Sequence, residues 1–210
     1  MHSVTYRRPR TGFTLIEAMI GLAIVGISLA IGIPAVSNWV RATKVQGAGE
    51  FYAEGFRMAR AEAIKHKSSS RIVLNTNAVS GQADWQVDIC FPATMAPCND
   101  TAGSWSTTLV GATIRPGMVS DFKSVYRSAE NLPGTGFMSQ TLAPVGANEV
   151  YYTSLGWVDT AVMPRITAVS MVPVAGSGFV FEPVAVGITL AGMASKCRPD
   201  VLAPDSRSCP

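Results

Sequence analysis

Histidine is scarce in this sequence: there are two, His2 and His66. Any Ser–His–Asp arrangement would have to be built on one of them, and no Gly-x-Ser-x-Gly elbow occurs. There is no His-Glu-x-x-His run, no Walker A loop and no acidic calcium loop. Gly134-Thr135-Gly136 and Gly176-Ser177-Gly178 lack the rest of a dinucleotide-binding Gly-x-Gly-x-x-Gly and read as turns. Acids such as Asp84, Asp88 and Asp121 are scattered, and read as surface or turn residues rather than a general acid/base pair. No catalytic constellation, metal site or cofactor is expected, so the chain reads as a non-enzyme.

Charge is absent where the sequence is most informative. The first twelve residues hold Arg7, Arg8 and Arg10 but no acid, and Phe13–Val36 holds one charge in twenty-four residues, Glu17. An apolar run of that length can span a bilayer as a helix. The preceding arginines keep the N-terminus on the cytoplasmic side. A secretory signal peptide places its small-residue cleavage site after the apolar core; here Gly12 comes before it. Cleavage after Gly12 would remove the basic leader and leave the membrane helix in place. Glu17, an acid inside an apolar span, then needs a partner. The amino group of Phe13 on a neighbouring copy would serve, and would set the axial stagger between helices.

Gly12-Phe13-Thr14-Leu15-Ile16-Glu17 resembles the class III signal of type IV pilins and type II secretion pseudopilins, Gly-Phe-Thr-Leu-(Ile/Leu)-Glu. The resemblance implies cleavage between Gly12 and Phe13 by a prepilin peptidase, N-methylation of Phe13 and a docking role for Glu17. It also implies an inner-membrane assembly platform and other pilins or pseudopilins as partners. Pro34 frees a backbone carbonyl and can kink the helix. Pilin helices commonly carry a proline at about this depth, which implies loosening there during filament assembly. Gly21, Gly26 and Gly32 would let helices approach closely in lipid.

Without the leader the balance of charge disappears. Seventeen basic residues less three leave 14, against 14 acidic, so bulk electrostatics give no support for nucleic-acid binding. Beyond Val36 the pattern turns amphipathic. Val45, Ala48, Tyr52, Gly55, Phe56, Ala59 and Ala63 recur at spacings of three and four, one apolar stripe. Glu50, Glu54, Arg57 and Arg60 read as a solvated face. The spacing predicts helix from about Phe13 to about Lys67, on the order of 80 Å. The cations at its end suit the helix dipole. Arg60-Ala61-Glu62-Ala63-Ile64 resembles the helix end of the GspH/FimT subgroup.

From Arg71 the chain reads as short strands. The candidates are Arg71–Asn75, Trp85–Phe91, Ser106–Ile114, Phe122–Tyr126, Glu149–Thr153, Arg165–Val172, Phe179–Glu182 and Gly187–Leu190; Glu130–Ala147 reads as a Gly/Pro-rich connection. Four cysteines allow three pairings. Proximity favours Cys90–Cys98 and Cys197–Cys209, in the oxidising compartment where disulfides persist. The spacings are not those of a zinc site. The stretch Gly192–Arg198 loosely resembles the end of GspH/FimT proteins, some of which contact DNA through a basic C-terminal region. Lys196, Arg198 and Arg207 flank the Cys197–Cys209 loop and could touch phosphates, with Asp200 and Asp205 opposing. The compact Gly-Arg-x-Arg motif of that subgroup is absent.

The expected fold is α+β, a long N-terminal helix (transmembrane half, then amphipathic half) packed on a mostly antiparallel sheet. The expected segments are a leader (1–12), a transmembrane and filament-core helix (13–36), its amphipathic continuation (37–67) and a β-rich periplasmic domain with a C-terminal loop (68–210). The expected function is a minor pilin of a type IV pilus. The alternatives are a type II secretion pseudopilin of the GspH kind and a FimT-like pilin for DNA uptake.

Overall fold

The computed structural model describes residues 12, 14–91, 98–99, 103–106 and 124–209. The chain forms two compact units, dividing between Val40 and Arg41. Helix α1, Leu15–His66, contributes to both and stays helical through Pro34.

In the first unit α1 carries an unbroken apolar span. In the second, α1 is amphipathic and the expected stripe is the core: Val45, Ala48, Tyr52, Gly55, Phe56, Ala59 and Ala63 are all buried. Each large apolar side chain so buried contributes about 1.5–3 kcal/mol. The helix ends in a Schellman motif. Ser68 N–H donates to the Ala63 carbonyl at 3.1 Å and Lys67 N–H to that of Ile64 at 3.2 Å. Lys67 occupies the left-handed position, φ 50°, that glycine usually takes.

The strands are β1 (Ser70–Thr76), β2 (Ala83–Phe91), β3 (Ser104–Trp105), β4 (Val125–Arg127), β5 (Met138–Ala143), β6 (Glu149–Tyr152), β7 (Ala168–Pro173), β8 (Val184–Ile188) and β9 (Ala194–Cys197). They form two antiparallel sheets rather than one. The first runs β3-β2-β1-β6, with β4 also on β2; the second runs β5-β7-β8-β9. One helix face serves both. A Cβ built on Gly49 would meet Val184 of β8 at 2.9 Å, and one on Gly55 would meet Ile72 of β1 at 2.9 Å and Trp85 of β2 at 3.0 Å. Small residues on α1 therefore let each sheet approach the helix axis.

Several expected elements shift. Phe179–Glu182 is not a strand. The Phe179 and Phe181 rings pack on Phe137 with centroids 4.7 and 5.2 Å apart, and the Arg41 guanidinium lies 4.4 Å from the Phe179 centroid. Those aromatics fill space instead of joining a ladder, and β8 starts only after Pro183, extending over Val184–Ile188 instead of Gly187–Leu190. Arg165–Val172 becomes β7, three residues later at its start. The connection Glu130–Ala147 holds β5. Of Ser106–Ile114 and Phe122–Tyr126, residues 107–123 lie outside the described residues. Asp84 and Asp88 are buried rather than on the surface.

Candidate functional site: the N-terminal helix and the C-terminal loop

The N-terminal helix begins on a built cap. Thr14 accepts at its side chain, Oγ1, from Glu17 N–H at 3.3 Å, and at its carbonyl from Ala18 N–H at 3.2 Å. Thr14-Leu15-Ile16-Glu17 therefore has the spacing and half the bonding of a capping box. Glu17 lies in the first turn, where the helix dipole favours an anion. Phe13 and residues 1–11 of the leader lie outside the described residues. From Leu15 to Ile33 the helix has a mean hydropathy of 2.3 and none of it is buried. Leu15 is 83% exposed and Leu22 73%. Ser28, the one hydroxyl in this span, donates back to the Ile24 carbonyl at 2.8 Å and needs no outside partner. A helix apolar on all sides has to be covered by lipid or by other helices.

At the other end of the chain, Cys197 is bonded to Cys209, and elsewhere Cys90 to Cys98. These are the two pairings that proximity favours. The three cations of the C-terminal loop each hold a carboxylate: Lys196 with Glu50 at 2.7 Å, Arg198 with Glu182 at 3.0 Å and Asp200 at 2.8 Å, Arg207 with Asp205 at 2.8 Å. The hydrogen bond from Lys196 holds the Glu50 carboxyl below its usual range, and that from Arg198 does the same to Asp200. The Arg207 side chain brings Asp205 down to about 2. The loop is thus close to charge-neutral, with a carboxylate on each of these cations.

Residues 7–33 match the prokaryotic N-terminal methylation motif, which is characteristic of type IV pilins and pseudopilins. In this N-terminal stretch the chain is similar to the type IV pilin and pseudopilin superfamily. No curated protein and no solved structure gives a significant match. The motif in this pilin-like chain implies processing by a prepilin peptidase and assembly with other pilins in a filament, and it points to a structural protein.

The pilin-like chain also uses residues that its sequence did not single out. Thr14 is one, although the Thr-x-x-Glu spacing before an apolar run is a signal for it. Arg60 is another. It is not on a solvated face: it is half-buried, and its Nε donates to the Gly156 carbonyl at 3.1 Å. Asp88, 1% exposed, accepts from Arg71 Nε at 2.9 Å, Gln86 Nε2 at 2.6 Å and Ser124 Oγ at 2.5 Å, and the Arg71 guanidinium lies 4.6 Å from the Trp105 centroid. Asp84 accepts from Asn77 Nδ2 at 2.9 Å, Tyr126 OH at 2.6 Å and Ala129 N–H at 2.6 Å. Both are satisfied buried carboxylates that fix β2 to its neighbours, and satisfaction of this kind is what makes a buried charge tolerable. His66 bonds Glu62 at 3.0 Å on α1.

Proposed function

We propose that this chain is a minor pilin of a type IV pilus. Residues 1–12 act as leader, residues 13–36 as membrane and filament-core helix, residues 37–67 as its amphipathic continuation, and residues 68–210 as the periplasmic domain. Prepilin peptidase cuts between Gly12 and Phe13, and Phe13 is then N-methylated. The processed chain waits in the inner membrane and is assembled through its helix, contributing to pilus assembly or to the tip. The observation that carries this reading is the uncovered apolar helix with a single acid at its head, Leu15 to Ile33, inside the matched motif. Glu17 meets the Phe13 amino group of a neighbouring copy and fixes register; Pro34 gives the helix its point of adjustment. A loop-rich domain suits a minor subunit better than a repeating shaft.

Mass spectrometry of filaments sheared from cells tests this. Peptides beginning at N-methylated Phe13, at a low ratio to a major pilin, are the expected result. The processed peptide found only in membranes favours a type II secretion pseudopilin instead. An unprocessed leader sinks the pilin reading. DNA contact through Lys196, Arg198 and Arg207 is the weaker reading, because each cation already has a carboxylate partner.

A further inference from the structure

The two sheets leave four outer edges, of which one is covered and two are formed by short strands. Strand β6 is covered by the segment after it: Val158 bridges Tyr152, Asp159 N–H donates to the Tyr151 carbonyl at 2.8 Å and Ile166 N–H to that of Glu149 at 3.0 Å. At β9, a four-residue strand that carries Lys196, the disulfide-tethered tail reaches the edge just past the strand, with Arg198 N–H donating to the Arg207 carbonyl at 2.7 Å. Strands β3 and β4, which share the outer side of β2, have two and three residues. Short edges offer little to pair with.

Strand β5 differs. It has six residues, Met138-Ser139-Gln140-Thr141-Leu142-Ala143, with no charge and no proline. Val174 N–H donates to the Phe137 carbonyl, so residues 137, 139 and 141 face β7 and residues 138, 140 and 142 face away. Met138 is paired with Pro173, which has no N–H to give, in agreement. Outward-facing Met138 is satisfied: its N–H donates to the Gly134 carbonyl at 3.1 Å and its own carbonyl accepts from Gln82 Nε2 at 2.8 Å. The main-chain N–H and carbonyl of Gln140 and Leu142 have no partner among the described residues.

Two cavities meet at Leu142 along this edge. One, of about 510 Å³, lies between Gln82 and Ala83 at the start of β2, Gln140 of β5 and Val172 of β7. The other, of about 400 Å³, is bounded by Thr141, Val145 and Asn148. No ionisable side chain lines either one. Within the wall of the larger cavity, Gln82 Oε1 and Gln140 Nε2 are buried with no partner, one acceptor and one donor.

We propose that the open edge of β5 is a binding site for an extended, uncharged segment of another protein, which adds as a strand. The Gln140 and Leu142 main chain supplies the hydrogen bonds, and the two cavities take side chains of the added strand. Neutral walls select against charged segments, since a charge placed there would lose its hydration without a counter-ion. Nucleic acid, which needs cations, does not fit this groove.

The test is hydrogen exchange followed by NMR on the full chain in detergent micelles. The probe is a pool of heptapeptides drawn from Val, Thr, Ser, Leu and Gln. At millimolar pool, exchange at the Gln140 and Leu142 amides should slow by about tenfold, as a submillimolar Kd requires. A pool with Lys and Asp at alternate positions, and a fully N-methylated pool, should leave both amides unprotected. No slowing by the uncharged pool overturns the proposal, as does equal slowing by the N-methylated pool. Protection without peptide that grows with protein concentration overturns it too, because a second copy would then be the occupant.

Discussion

Gly192 and Tyr152 show how sharply single residues are constrained. Gly192 has φ 78°, and a Cβ there would stand 2.1 Å from the Gly156 carbonyl oxygen and 3.1 Å from Arg60 Cδ. Backbone cannot swing aside as a side chain can, so Gly192→Ala carries both left-handed strain and overpacking. The expected loss is about 2–5 kcal/mol, read as a fall in the thermal midpoint of the full chain in micelles. Tyr152 is the opposite case. Its ring is fully buried, its hydroxyl has no partner among the described residues, and burial pushes its pKa well up. Removing an unsatisfied hydroxyl recovers its desolvation penalty, so Tyr152→Phe should stabilise by about 1 kcal/mol. That raises the midpoint by roughly 2–4 °C for a domain of this size; a fall instead would mean that the hydroxyl has a partner after all. Neither constraint is legible in sequence: a glycine in a turn and a tyrosine in a strand look ordinary until the facing atoms are known.

At the scale of elements, α1 was legible and the sheets were only half so. The stripe from Val45 to Ala63 repeats at helical spacing, and its burial is a consequence of period alone. Alternation in a strand tells which side chains share a face but not which strand lies alongside, so the division into two sheets could not be read. Strand β5 was hidden because Met138–Ala143 has one β-branched residue and is framed by Gly136 and Pro144. Phe179–Glu182 misled for the converse reason, strand-like composition spent on stacking against Phe137 and Arg41. Opening the Cys197–Cys209 loop by Cys197→Ala with Cys209→Ala should cost about 3 kcal/mol by loop entropy, measured by chemical unfolding. Glu17 separates two roles of the helix start. Glutamine keeps the Thr-x-x-Glu/Gln capping pattern but not the charge. Glu17→Gln should therefore be processed and inserted yet missing from sheared filaments, like Glu17→Ala. If glutamine assembles normally and alanine does not, the hydrogen-bonding capacity of the side chain and not its charge is what assembly needs.

For the molecule as a whole, the decisive quantity is where charge is not. The arginines of the leader account for the whole net charge of the full sequence, and the chain beyond Gly12 is balanced, seventeen basic residues less three against 14 acidic. The three cations best placed to meet a phosphate are held by Glu50, Glu182, Asp200 and Asp205. Exposed pairs of this kind are weak individually, about 0.2–1 kcal/mol, so they do not forbid a polyanion. They do reduce the gain, because each cation's charge is already partly offset by the carboxylate beside it. Even with all three cations engaged, three phosphates neutralised at about −0.9 each give a salt slope of only about −2.7, too shallow a reserve for tight non-specific binding. The full chain in micelles should show no DNA mobility shift at low salt. A shift that disappears in the triple variant Lys196→Ala, Arg198→Ala, Arg207→Ala would restore the DNA reading. A shift that survives the triple variant would place the contact elsewhere, since a phosphate cannot depend on cations that have been removed.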